Sequence, residues 1–189
     1  MARPCHARAL TGFAIALLLA AAPAFSADRP VEKPYALPEH GTFKMNVPAG
    51  WKDQLAQTPP SAPPTITFSP ADGKPFQVLV TPLWRPSPDV KLPTKETLRK
   101  RVENDAAEFK DGSVEQKLKL VEIKGKSGPG YYFSVTDKAP KPGDYKYLTE
   151  GLLMVSELMV AFTILTNDGQ EQVVRDALAM VRSASHTAK

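Results

Sequence analysis

The sequence predicts an α+β protein: an antiparallel sheet of about six or seven strands flanked by helices on both faces, an α/β/α sandwich. Three observations predict it. Fourteen of the 19 prolines fall between Pro30 and Pro93 and none follows Pro142, so strands that must donate on both sides belong to the C-terminal half. Short apolar runs are separated by turn dipeptides at hairpin spacing. Two other segments carry the helical period instead, one in mid-chain and one at the end.

Residues 1–26 read as a signal peptide. Arg3, His6 and Arg8 make a positive start, no charge occurs from Ala9 to Ala27, and the apolar peak runs from Phe13 to Ala22. A membrane anchor is the rival, since 19 uncharged residues approach the roughly 20 that span a bilayer. Pro23 breaks the run, and Ala24-Phe25-Ser26 places small residues at minus three and minus one, which favours cleavage. Cys5 precedes the apolar run and leaves with it. The cleaved chain holds no cysteine, which suits a periplasmic or secreted location.

The mature chain should begin with a loose Pro-rich lead over 27–40. Phe43, Met45 and Val47 then alternate with polar residues as a half-buried strand, stopped by Pro48-Ala49-Gly50 before Trp51. After the loop Thr58 to Pro64, the runs Thr65–Phe68 and Phe76–Leu83 flank Asp72-Gly73 as a hairpin. Thr94 caps a helix whose Leu98, Val102, Ala106 and Phe109 recur every three or four residues, with Gly112 where a glycine cap belongs.

Leu118–Ile123 and Gly130–Thr136 flank a glycine-rich turn and should pair, and Tyr145 begins a third run after the turn Lys138 to Gly143. Gly151 to Leu165 is the most apolar stretch. It should form two strands turning at Ser156-Glu157, covered on both faces because neither half alternates. A last helix over about Gly169 to Arg182 offers Val173, Val174, Ala177, Leu178 and Val181 as its stripe. One domain over 41–184 and a disordered tail over 185–189 complete the reading.

Charge and residue inventory exclude several functions. Without the leader, Arg3 and Arg8 are lost and 22 basic residues face 20 acidic ones, a net charge of +2. Arg99-Lys100-Arg101 is offset by Glu96, Glu103 and Asp105, so nucleic acid is not an expected partner. His40 and His186 are the only histidines left, one in the lead and one in the tail, which leaves no imidazole for a nucleophilic triad. No calcium loop and no phosphate loop is present, since Gly125 to Gly130 lacks the required order and joins strand to strand. No metal, cofactor or enzyme activity is expected.

The aromatic residues are the candidates for binding. Tyr131 and Tyr132 point to opposite faces of one strand, with Tyr145 and Tyr147 across from them, while Trp84 adjoins a proline-rich loop. Packing is one reading of these rings, and a partly apolar surface for a ligand or peptide is the other. Asp137 reads as a turn former or, paired with Glu150, as part of a carboxylate hydrolase. The candidate surface is therefore Trp84, Tyr131, Tyr132, Asp137, Tyr145 and Tyr147.

Phe43 to Trp51 (FKMNVPAGW), the Asp72-Gly73 hairpin, the helix from Thr94, Gly130 to Asp137 (GYYFSVTD) and Phe162-Thr163-Ile164-Leu165 before a last helix together resemble the PsbP-like superfamily over about residues 40 to 184. That superfamily includes the extrinsic PsbP subunit of photosystem II, a eukaryotic Ran-binding import factor and bacterial exported proteins of unknown role. The resemblance implies the fold above and binding to a larger partner without catalysis. Its ion-linked residues have no counterparts here, so calcium or manganese is not implied. The expectation is an accessory protein that uses loops 137–144 and 84–93 to hold a protein partner in the cell envelope, with a small-ligand carrier as the alternative.

Overall fold

The computed structural model describes residues 29–56, 59 and 61–189. The expected signal peptide and part of the 58–64 loop lie outside them. The chain forms β1 (Val31–Leu37), β2 (Gly41–Val47), β3 (Trp51–Leu55), β4 (Ile66–Pro70), β5 (Gln77–Leu83), α1 (Lys95–Glu108), β6 (Val121–Lys124), β7 (Pro129–Thr136), β8 (Tyr147–Val155), β9 (Leu158–Thr166), α2 (Glu171–Arg182) and β10 (Ser185–Thr187).

Seven strands build an antiparallel sheet in the order β3-β4-β5-β9-β8-β7-β6. Its centre is the predicted apolar hairpin. Tyr147–Val155 pairs with Leu158–Thr166 through a turn in which Ser156 has φ 53°, and Gly151 to Val155 are all buried. Gly151 lies under Phe162, where a Cβ would come within 2.3 Å of the Tyr131 carbonyl, so only glycine fits.

Residues of opposite parity on β8 enter different cores. Leu153 and Val155 pack with Phe43, Phe68, Phe162 and Met180, a cluster that joins β2, β4, β9 and α2. Leu152 and Met154 pack with Tyr131, Phe133, Leu98 and Val102 of β7 and α1.

Two expectations about the ends are corrected. Over its described residues the lead expected at 27–40 is not loose: residues 31–37 are β1, paired with β2 from Val31↔Val47 to Leu37↔Gly41, and Tyr35 and Leu37 are buried. Pro34 masked the alternation, yet β1 is an edge strand, where a missing N–H is tolerated. Nor is 185–189 a disordered tail, because Ser185–Thr187 pairs with Thr42–Lys44 as β10. Three residues are too few for periodicity to register. Gly41, at φ 83°, admits this strand, since a Cβ there would meet the Thr187 carbonyl at 2.1 Å.

The three-stranded sheet β1-β2-β10 thus supplies much of what covers the main sheet beside α2. Tyr35 donates to Asp53 Oδ2 at 3.1 Å, and Lys33 pairs with the same carboxylate, tying β1 to β3. Burial and then the Asp53 charge push the Tyr35 phenol well above its ordinary range.

α1 is capped as predicted, with Thr97 N–H donating to Thr94 Oγ1 at 3.2 Å. Gly112 is not its glycine cap. The helix closes on Phe109 in right-handed backbone, and a 3₁₀ turn over Lys110–Gly112 follows.

Candidate functional site

β5 delivers the chain to one end of the sheet, and the ten residues Trp84 to Pro93 cross from there to the start of α1. Pro86, Pro88 and Pro93 fix φ at three positions and remove donors, so this connection is stiff. Arg85 holds it from inside, donating to the carbonyls of Pro88 at 3.0 Å and Val90 at 3.4 Å. Its other guanidinium nitrogen lies 3.8 Å from Glu157 in the β8–β9 turn.

Trp84 stacks on His40 with ring centroids 4.0 Å apart and planes 18° from parallel. His186 of β10 meets the His40 carbonyl oxygen at 2.6 Å. Both histidines, placed by sequence in a loose lead and tail, therefore stand beside Trp84. The signal that could have found them is the alternation of Tyr35 and Leu37 just before His40, broken in sequence by Pro34.

Trp84, Arg85 and Pro86 form a ridge between two depressions. One, of about 280 Å³, has an apolar lining that includes Leu83, Val90, Leu92, Leu98 and Met159. The other, of about 350 Å³, lies against His40, His186 and Lys189. Val90 and Leu92 are 44% and 37% exposed. Lys91 and Arg101 stand at the rim of the apolar depression and make no ion pair among the described residues.

The remaining sequence candidates are dispersed. Tyr131 is buried beneath α1, and Tyr132 packs against the opposite core. Tyr147 donates to Asp168 at 2.6 Å. That hydroxyl, followed by Lys146, holds the Asp168 carboxyl below its usual range. Asp137 and Tyr145 come together on a third depression, of about 270 Å³, with Phe109 and Leu165. It lies at the other end of the sheet from Trp84, because β7 ends beside the start of β8 whereas Leu83 pairs with Met159 at the start of β9. Loops 84–93 and 137–144 do not make one surface, which corrects that expectation.

Asp137 is a turn former: its carboxylate accepts from Ala139 N–H at 2.8 Å. Its backbone N–H donates to the Lys146 carbonyl, four residues from Glu150, which places the two acidic positions about 13 Å apart along the strands. Glu150 is half-buried opposite Phe133 and Thr163. Burial, with Asp105 and Glu108 of α1 adding like charge, raises its pKa.

Among the described residues no group of three or more His, Cys, Asp or Glu side chains could hold a metal ion. No described helix is long and apolar enough to cross a membrane.

No protein-family model matches the chain, and no curated protein matches it either. Among solved structures it is similar to the solution structure of cyanobacterial PsbP (CyanoP) from Synechocystis sp. PCC 6803. That match covers 89% of this chain and 99% of the other, with 11% identity and a TM-score of 0.47. The match therefore assigns no role to any residue.

Proposed function

We propose that the chain is an exported, non-enzymatic binding or accessory protein of the bacterial cell envelope that holds a protein partner on the Trp84–Pro93 surface. One observation supports this above others: Val90 and Leu92 stand exposed beside an apolar depression, on a connection stiffened by three prolines and clamped by Arg85. A partner covering them would remove apolar surface from water without having to order the loop first. Lys91 and Arg101 supply a polar rim. Export rests on the leader read in residues 1–26, and the layering is read as one helix over each face of the sheet, in keeping with the two cores that alternate along β8.

A photo-crosslinking side chain at position 92 of the full chain, with position 141 at the opposite end as control, tests the surface in intact envelopes. A discrete adduct from 92, absent from 141 and lost on Val90→Asp, is the expected result. The same adducts from both positions, or none from 92, would overturn the proposal.

A small-ligand carrier is a second reading, favoured by the shared depression of Tyr145 and Asp137. A ligand at a hundred times its Kd would stabilise the protein by about 2.7 kcal/mol. Tyr145→Ala should abolish that shift.

A further inference from the structure

A different surface carries its own argument. The flank of α1 bearing Arg99 and Ala107, with Lys110 of the 3₁₀ turn after it, forms one wall of an open groove of about 830 Å³, and residues 116–120 form the other. Leu118 and Leu120 are half-buried and pack on the α1 core, while Lys117 and Lys119 between them are exposed. Gln116 and Lys117 form a bend and the chain then runs on to β6 at Val121, with Lys117 and Lys119 two positions apart.

No strand pairs with this stretch. Chain pairing resumes at Val121↔Tyr132 and is last seen before it where Val114 N–H donates to the Thr136 carbonyl. Among the described residues, the backbone groups of 116–120 make no hydrogen bond.

The charges are uncompensated as well. Glu103, the acidic residue lining the groove, is engaged by Arg99 at 3.1 Å. Lys110, Lys117 and Lys119 have no ion-pair or side-chain hydrogen-bond partner among the described residues. Three free cations therefore line a concave channel with an apolar floor and an unsatisfied backbone edge.

We propose that this groove binds an extended acidic peptide segment with carboxylates at alternate positions. The peptide's main chain bonds to the free backbone groups of 118–120, which lead straight into the edge strand β6, as in strand addition. Its carboxylates, two residues apart, meet Lys117 and Lys119, and a further one reaches Lys110. Concavity favours a chain over a bilayer, since a flat surface cannot reach the floor between two walls. The proposal does not rest on the Trp84 surface, so failure of either leaves the other standing.

Fluorescence anisotropy with a fluorescein-labelled octapeptide of alternating Glu and Val tests it on the full mature chain. Binding is expected at low salt, weakened by added salt, and at least about tenfold weaker for the Gln–Val analogue. Lys117→Glu with Lys119→Glu should abolish it, and Lys117→Gln with Lys119→Gln should weaken it by about tenfold, both with unchanged circular dichroism. Val90→Asp should leave it unchanged. No binding of the Glu–Val peptide, equal binding of the Gln–Val peptide, indifference to the lysine variants, or binding to phosphatidylglycerol vesicles in its place would each overturn the proposal.

Discussion

The two cores that meet at the main sheet are unequal. One joins 21 buried residues from the three-stranded sheet, α2 and the strands between them, while the other joins eight, covered by α1. α1 buries Leu98, Val102 and Ala106 chiefly against β7 and β8, with Met159 and Ala161 of β9 at the edge of that cluster. Beyond it, Thr67, Leu79, Thr81 and Thr163 stay half-exposed on the same side of β4, β5 and β9. The apolar depression, the lysine groove and the Tyr145 depression all take part of their lining from α1 or its C-terminal Phe109. The larger core fixes the scaffold, and around the smaller one the surface is free to be shaped.

Phe162→Ala should have the largest effect. The ring is fully enclosed in the larger core and lies on Gly151, so its removal leaves a cavity that the paired strands cannot close. A loss of about 3–5 kcal/mol is expected, read as a fall in the urea midpoint at constant slope. A loss under about 1.5 kcal/mol would mean that this core is loosely packed and that the contrast between the two sides is wrong.

Leu98→Ala addresses the thinner side. Leu98 is fully buried, yet the helix above it is held by few residues and can settle toward the gap. The cost should fall near the lower end for such changes, about 2 kcal/mol. Amide exchange should then rise across α1 and residues 113–120 while β8 and β9 stay protected, as expected of a local opening. Uniform acceleration over the whole chain would show that the two cores open as one unit.

What the sequence made legible follows the same division. The β4–β5, β6–β7 and β8–β9 hairpins, the capped α1 and α2 are readable because each carries a periodic stripe and a turn or cap of its own. Other elements carry no such local signal. β3 reads Trp-Lys-Asp-Gln-Leu and is set by pairing with β4, β1 is interrupted by Pro34, and β10 is three residues long. Pairing with a neighbouring strand defines these three, and two of them, β1 and β10, bring His40 and His186 to Trp84. For the candidate site, Trp84 and its loop stood out as aromatic beside proline. The tyrosines were grouped by strand register, which sets the side of the sheet but not what covers it, so Tyr131 fell under α1 while Tyr145 reached a depression.

The smallest expected effect tests whether the thin side tolerates a charge at a cost. Glu150 lies at the border of α1 with Asp105 and Glu108 as its charged neighbours, and its carboxyl holds its proton to higher pH than in the unfolded chain. The native state therefore binds more protons than the unfolded state between the two values, and stability falls as pH rises through that window. Three other carboxyls act in the opposite sense, among them Glu96, held low by its own backbone N–H and then by Thr94 at the start of α1. Asp168 is held low by Tyr147 and Lys146; Glu115, despite burial that pushes it up, is held low by the Thr136 N–H and hydroxyl. Their contributions are lost as pH falls, so the raw pH profile mixes both signs. Glu150→Gln isolates one of them: it should raise Tm at pH 7 and leave it nearly unchanged at a pH below the ordinary glutamate range. Parallel curves for the two proteins would mean that water screens Glu150 from Asp105 and Glu108, and that the outer side of the sheet is more open there than its half-burial implies.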